Sequence, residues 1–144
     1  MTNYLDASIV AASLLRETTS LIVDQFILES INELAISDFA IAEVSSAISR
    51  YLRMGKCDEA AAEALIQDLD GWPGRFAALH VLEPSDIHSA ILHVRRFDLQ
   101  LRAPDAIHVA ICQRIEARLV TFDNNLATAA IKLGLDVHVP RMAN

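Results

Sequence analysis

The sequence is poor in the features that would place it in several common classes. Only two cysteines occur in its 144 residues, Cys57 and Cys112, and they form neither a metal-binding nor a redox spacing with each other. Two reduced, structural thiols suit a cytoplasmic protein. No uncharged apolar run reaches the roughly 18 to 20 residues that a membrane span requires. The start has no basic region, and Asp6 interrupts its first apolar stretch, so no signal peptide is expected. A Gly-rich phosphate loop is missing, which counts against nucleotide binding. No Ser-His-Asp or Cys-His nucleophile arrangement is readable. Positive charge is scarce as well: 12 Lys and Arg face 19 Asp and Glu, for a net charge of −7. Such a balance argues against a general nucleic-acid-binding surface, whose affinity comes from phosphate contacts. It leaves room for a protein that meets nucleic acid through bound cations and a few local arginines.

Apolar residues are abundant, at 53%, with a mean hydropathy of +0.30. Small domains have much surface to cover, so the surplus implies either apolar surface buried against a partner or second copy, or simply an Ala- and Ile-rich helical protein. The length fits one domain spanning residues 1–144. Short apolar strands are expected at Asn3–Asp6, Leu34–Ser37, Leu79–Leu82, Arg118–Phe122 and Val137–Val139. Between them the pattern predicts helices over Ser8–Leu15, Thr18–Ile31 and a segment capped by Ser37 or Asp38 and ended by Gly55. Further helices are predicted from Asp58 to about Leu69, with a turn at Gly71-Trp72-Pro73-Gly74, and from Pro84 through Phe97. The last two are Asp105–Glu116 and Asn125–Leu133. Strands alternating with helices point to a three-layer α/β domain with a central parallel sheet flanked by helices.

Against that frame four acids stand out, each inside or beside an apolar run near a strand–helix junction: Asp6, Glu43, Asp105 and Asp123. In open parallel sheets, ligands bind beyond the carboxyl ends of the strands where strand order reverses, and all four acids can converge on that edge. Each also has an ordinary explanation. Asp105 can be an N-cap or first-turn acid, and Asp123 a capping residue. Asp6, with Ser8 two residues on, can form an Asx-type turn or a cap. Glu43 resists this treatment, because its neighbours Ile41, Ala42 and Val44 imply a largely buried setting. Two carboxylates about 5 Å apart repel by about 3 kcal/mol at an effective dielectric near 20. Four in one pocket therefore need a cation, and oxygen donors favour Mg2+, with Mn2+ as a substitute. His108, three residues after Asp105, can face the pocket, though the more ordinary reading is a core or surface histidine.

The segments around these acids resemble a known family. Tyr4-Leu5-Asp6-Ala7-Ser8, Ser37-Asp38-Phe39-Ala40-Ile41-Ala42-Glu43-Val44, Arg102-Ala103-Pro104-Asp105-Ala106-Ile107-His108-Val109-Ala110 and Leu119-Val120-Thr121-Phe122-Asp123 look like the four signature segments of PIN-domain ribonucleases. They look most like the VapC toxins of toxin–antitoxin pairs. The similarity extends to Ala129-Ala130-Ile131-Lys132-Leu133-Gly134-Leu135 and so covers nearly the whole chain. The resemblance implies a PIN-like domain in which Asp6, Glu43, Asp105 and Asp123 bind metal and catalyse hydrolysis of RNA. Ser8 and Thr121 match the polar positions that accompany them. It also implies a cognate antitoxin, and a homodimer that would account for the apolar surplus. Arg95, Arg96 and Arg102 are candidates for gripping substrate phosphates, or else solvated charges at helix ends. Two rival readings stand beside this one. A phosphatase or receiver-like phosphotransfer domain would want a second Asp at position 8, where Ser8 stands, or an adjacent acidic pair and a late lysine. A non-catalytic, metal-stabilised binding module keeps the four acids but predicts no turnover.

Overall fold

The computed structural model describes residues 1–141. Five strands, β1 (Asn3–Leu5), β2 (Leu34–Ser37), β3 (Ala78–His80), β4 (Arg118–Val120) and β5 (Val137–His138), form one sheet. Its order is β3-β2-β1-β4-β5, with every neighbouring pair parallel. Seven helices flank it: α1 (Ala7–Leu15), α2 (Ser20–Glu29), α3 (Asp38–Arg53), α4 (Glu59–Phe76), α5 (Pro84–Val94), α6 (Ala103–Ile115) and α7 (Asn124–Lys132). This is the three-layer α/β arrangement that the alternation of strands and helices predicts.

The strand alternation decides which face each residue serves. Tyr4, Ala35 and Leu119 are partners across the sheet and join the core on the side of α5, α6 and α7. Leu5, Ile36 and Val120 point the other way, into a core with Ile9, Val10, Val23, Val44, Ile48, Leu69 and Trp72 from α1 to α4. Because both faces are covered, β1 and β2 are buried along their whole length. The chain starts in the centre at β1, builds outward through β2 and β3, then crosses to β4 and β5. Strand order thus reverses between β1 and β4, the point beyond whose carboxyl ends open parallel sheets bind their ligands.

Several boundaries differ from expectation. The segment Gly71-Trp72-Pro73-Gly74 is not a turn: α4 runs through it to Phe76. Leu69 and Trp72, both almost wholly buried, lie on the inner face of the helix. Their packing outweighs a local penalty of about 1 kcal/mol for each glycine and about 3 for the proline. The Pro73 carbonyl accepts the Ala77 N–H at 2.9 Å, so that turn closes normally. β3 is Ala78–His80 rather than Leu79–Leu82, since the longer α4 leads directly into it. α5 stops at Val94, and Phe97 opens a short 3-10 turn (Phe97–Leu99), where its ring is 85% exposed.

Candidate active site

Asp6 follows β1 and caps α1. Its extended backbone (φ −75°, ψ 176°) lets the side chain turn back over the first helical turn. Oδ1 accepts the N–H groups of Ser8 at 3.0 Å and Ile9 at 3.3 Å, and the Ser8 hydroxyl at 2.5 Å. Oδ2 accepts the hydroxyl of Thr121, the residue that follows β4. The same two hydroxyls reach back to the chain beyond β4: Ser8 Oγ accepts the Phe122 N–H at 3.2 Å and Thr121 Oγ1 the Asp123 N–H at 3.0 Å. Ser8 and Thr121 thereby tie the two loops together across the point where the sheet reverses. Asp6 is only 4% exposed. Burial raises its carboxyl above the usual 3.8, opposed by His108 and then by the hydrogen bonds from Ser8 and Thr121.

The other three acids border this edge. Asp123 caps α7, accepting the N–H groups of Asn125 and Leu126 at 2.9 and 3.1 Å. Asp105 lies in the first turn of α6, after the N-cap Arg102, whose Nε stands 3.8 Å from its carboxylate. Its carboxyl is raised first by burial and next by the charge of Asp123, with Arg102 and His108 opposing and Glu43 adding. Asp105 is therefore close enough to Asp123 and Glu43 for their charges to act on it. As placed, each turns to its own local partner, and among the described residues no three His, Cys, Asp or Glu side chains stand at metal-ligand spacing. The donor set itself, carboxylate oxygens backed by hydroxyls, has the chemistry of a hard divalent-cation site.

Glu43 is less buried than its sequence neighbours imply, with about a third of its side chain exposed. Ile41 is only half-buried and Ala42 is exposed, because α3 turns just one face, Ala40, Val44 and Ile48, to the core. What holds Glu43 instead is His108. That ring is 2% exposed, edge-on to Phe39, with Nε2 hydrogen-bonded to Glu43 Oε1 and Nδ1 to the Tyr4 hydroxyl at 2.7 Å. Tyr4 in turn meets Ser37 Oγ at 2.7 Å, and burial keeps its phenol protonated well beyond its usual range. His108 is thus a core histidine, as its sequence context suggests, and also a partner of a site acid. Its position one helical turn after Asp105 is the signal that points there.

The arginines divide. Arg102 stands beside Asp105, whereas Arg96 pairs with Asp98 at 2.9 Å and Arg95 lines an apolar groove of about 300 Å³ between α5 and α6. Both cysteines are free, Cys112 buried and Cys57 half-buried. No helix among the described residues is long and apolar enough to cross a membrane.

Comparison with solved structures finds the same architecture elsewhere. The chain is similar to VapC20 of Mycobacterium tuberculosis, a toxin described as cleaving the sarcin-ricin loop, with 15% identity, a TM-score of 0.72, and 89% of this chain and 95% of that one covered. It is likewise similar to VapBC2 of Rickettsia felis, bound to promoter DNA (17% identity, TM-score 0.68, 96% and 98% covered). A third is DNA-bound VapBC of Salmonella typhimurium (12%, 0.72, 96% and 98%). At such identities the likeness is one of fold. No curated protein matches the sequence. The family model of the PIN domain does, from residue 4 in β1 to residue 132 at the end of α7. Every element carrying an acid of the edge lies inside that span, and the chain belongs to the PIN-domain family.

Proposed function

We propose that this single-domain protein is a Mg2+- or Mn2+-dependent endoribonuclease, the toxin of a toxin–antitoxin pair. The observation that carries the reading is Asp6: a nearly fully buried carboxylate where the strand order reverses, ringed by hydroxyl and amide donors and, among the described residues, by no cationic side chain within hydrogen-bonding reach. A carboxylate so placed is costly unless a cation compensates it.

Asp6, Glu43, Asp105 and Asp123 would hold the metal. When bound, it supplies positive charge that acidifies a water and neutralises the scissile phosphate. Ser8 and Thr121 orient the Asp6 carboxylate and keep the loops after β1 and β4 in register. Arg102, 82% exposed beside Asp105, is the arginine best placed to meet an incoming phosphate. The solved relatives include complexes of such toxins with their antitoxins, which supports an antitoxin as partner. Exposed Leu21, Leu28, Leu92 and Phe97 supply apolar surface that an antitoxin or a second copy would cover. A cytoplasmic location fits the two free thiols.

The test sets purified protein against its Asp6→Ala variant on a panel of transfer, ribosomal and messenger RNAs, with Mg2+ or Mn2+ and then with chelator. Cleavage is expected only from the unsubstituted chain with metal. Cleavage that survives both the substitution and the chelator refutes the mechanism. The separation of the acids onto local partners favours one second reading, a cation-stabilised binding module. That reading predicts antitoxin and Mn2+ binding with no turnover on any RNA of the panel.

A further inference from the structure

We propose that His108 is a positioning residue for Glu43, and that a one-way hydrogen-bond chain from Ser37 through Tyr4 fixes the tautomer in which it works. The proposal deepens the ribonuclease reading and rests on it for its consequence, though not for its geometry.

The direction of the chain follows from counting protons. Ser37 Oγ caps α3 by accepting the Ala40 N–H at 3.1 Å, and its residue is wholly buried. Its only other partner among the described residues is the Tyr4 hydroxyl, so the Ser37 proton has one place to go, the Tyr4 oxygen. The Tyr4 proton then goes to His108 Nδ1, which must be bare to accept it. The imidazole proton therefore sits on Nε2 and is donated to Glu43 Oε1. Reversing the chain, with a proton on Nδ1, leaves the Ser37 hydroxyl proton buried without an acceptor, which is strongly disfavoured. Every group in the chain Ser37–Tyr4–His108–Glu43 is satisfied in one direction only.

The anchors of this chain are rigid. Tyr4 is in the central strand, Ser37 ends the strand beside it, and His108 is clamped between Tyr4 and Phe39, with ring centroids 5.7 and 5.2 Å away. Glu43 is the one partly exposed member. A flexible, half-exposed glutamate is thus held by one oxygen from a buried donor, and its other oxygen stays available to the acidic edge. Donors of this kind orient a carboxylate ligand and raise its effectiveness, and their loss typically costs about 10- to 100-fold in metal affinity or activity.

Three measurements on the full chain test the assignment. Imidazole 15N NMR at neutral pH is expected to show His108 protonated on Nε2 and bare on Nδ1; a proton on Nδ1 overturns the chain. Two substitutions then separate positioning from packing. His108→Gln keeps an N–H near the Nε2 position, whereas His108→Leu keeps apolar bulk against Phe39 and removes the donor. Mn2+ affinity, and RNA cleavage as kcat with KM little changed, are expected to fall about 10- to 100-fold in His108→Leu and to recover in part in His108→Gln. A Leu variant equal to or better than the Gln variant would make His108 a packing residue only. Thermal melts of both variants show that each is folded. If no RNA is cleaved even by the unsubstituted chain, the ribonuclease reading fails, while the tautomer and the order of Mn2+ affinities still decide the role of His108.

Discussion

Asp6 and Asp86 are buried almost equally, at 4% and 1% exposure, yet they are treated in opposite ways. Asp86, in the first turn of α5, receives the guanidinium of Arg114 from α6 through two bonds, Nε at 2.8 Å and a terminal nitrogen at 2.9 Å. It also accepts the Glu83 N–H at 2.9 Å, and Arg114 goes on to the Val81 carbonyl at 3.0 Å. Asp86 raises the Arg114 guanidinium still further above its usual range. The pair is complete, and it pins α5 to α6. Among the described residues no cation bonds to Asp6: hydroxyls and amides solvate it, His108 acts on it without a hydrogen bond, and its carboxyl remains raised. The difference separates a carboxylate whose charge is matched within the fold from one that the fold only solvates.

The largest expected effect breaks the finished pair. Arg114→Ala leaves Asp86 buried without its cation and should cost about 3 kcal/mol in a urea melt. An equally stable variant would mean that the clamp is ornamental. Next, Mn2+ at roughly a hundredfold excess over its dissociation constant should stabilise the wild type by about 2.7 kcal/mol and leave Asp6→Asn nearly unmoved. Equal stabilisation of both would place the cation elsewhere. A smaller effect has the reverse sign to the clamp. In the absence of metal, Asp6→Asn should gain up to about 1 kcal/mol at neutral pH, because an ionised carboxylate is removed from a buried place.

The smallest effect is that gap's dependence on pH. The folded chain holds the Asp6 proton more tightly than the unfolded chain, whose carboxyl has the usual value of 3.8. The cost of the ionised form is complete at neutral pH, shrinks as pH falls through the raised folded value, and is gone below 3.8. Metal-free wild type should therefore draw level with Asp6→Asn as the buffer is taken from pH 7 towards 4, as read by paired denaturant melts. A gap that widens on acidification would contradict the raised carboxyl.

Much of this was open to a reader of the sequence, and the exceptions have physical causes. β1 and β2 announce themselves because strands covered on both faces carry unbroken apolar stretches, Tyr4-Leu5 and Leu34-Ala35-Ile36. Asp6 and Asp123 were legible as acids at strand ends, although β4 stops at Val120 and leaves Asp123 three residues on, and Ser8 and Thr121 as polar residues beside them. The course of α4 through Gly71-Trp72-Pro73-Gly74 was not, because the burial of Trp72 that outweighs the local preference is a tertiary fact. The setting of Glu43 was misjudged for the same reason: flanking Ile and Val residues on a helix face different directions. The pairing of His108 with Glu43 joins positions 65 apart: the spacing of His108 from Asp105 points to the edge, but it does not single out Glu43 as the partner.

The hydrogen bond from Thr121 to Asp6 has a consequence for timing. It joins residues 115 positions apart, and β1 can gain its inner neighbour β4 only when most of the chain has left the ribosome. Until then the first strand has its aspartate but not the hydroxyl and loop that hold it. A growing polypeptide of this kind carries no assembled acidic edge, so whatever the edge can do begins only late in synthesis.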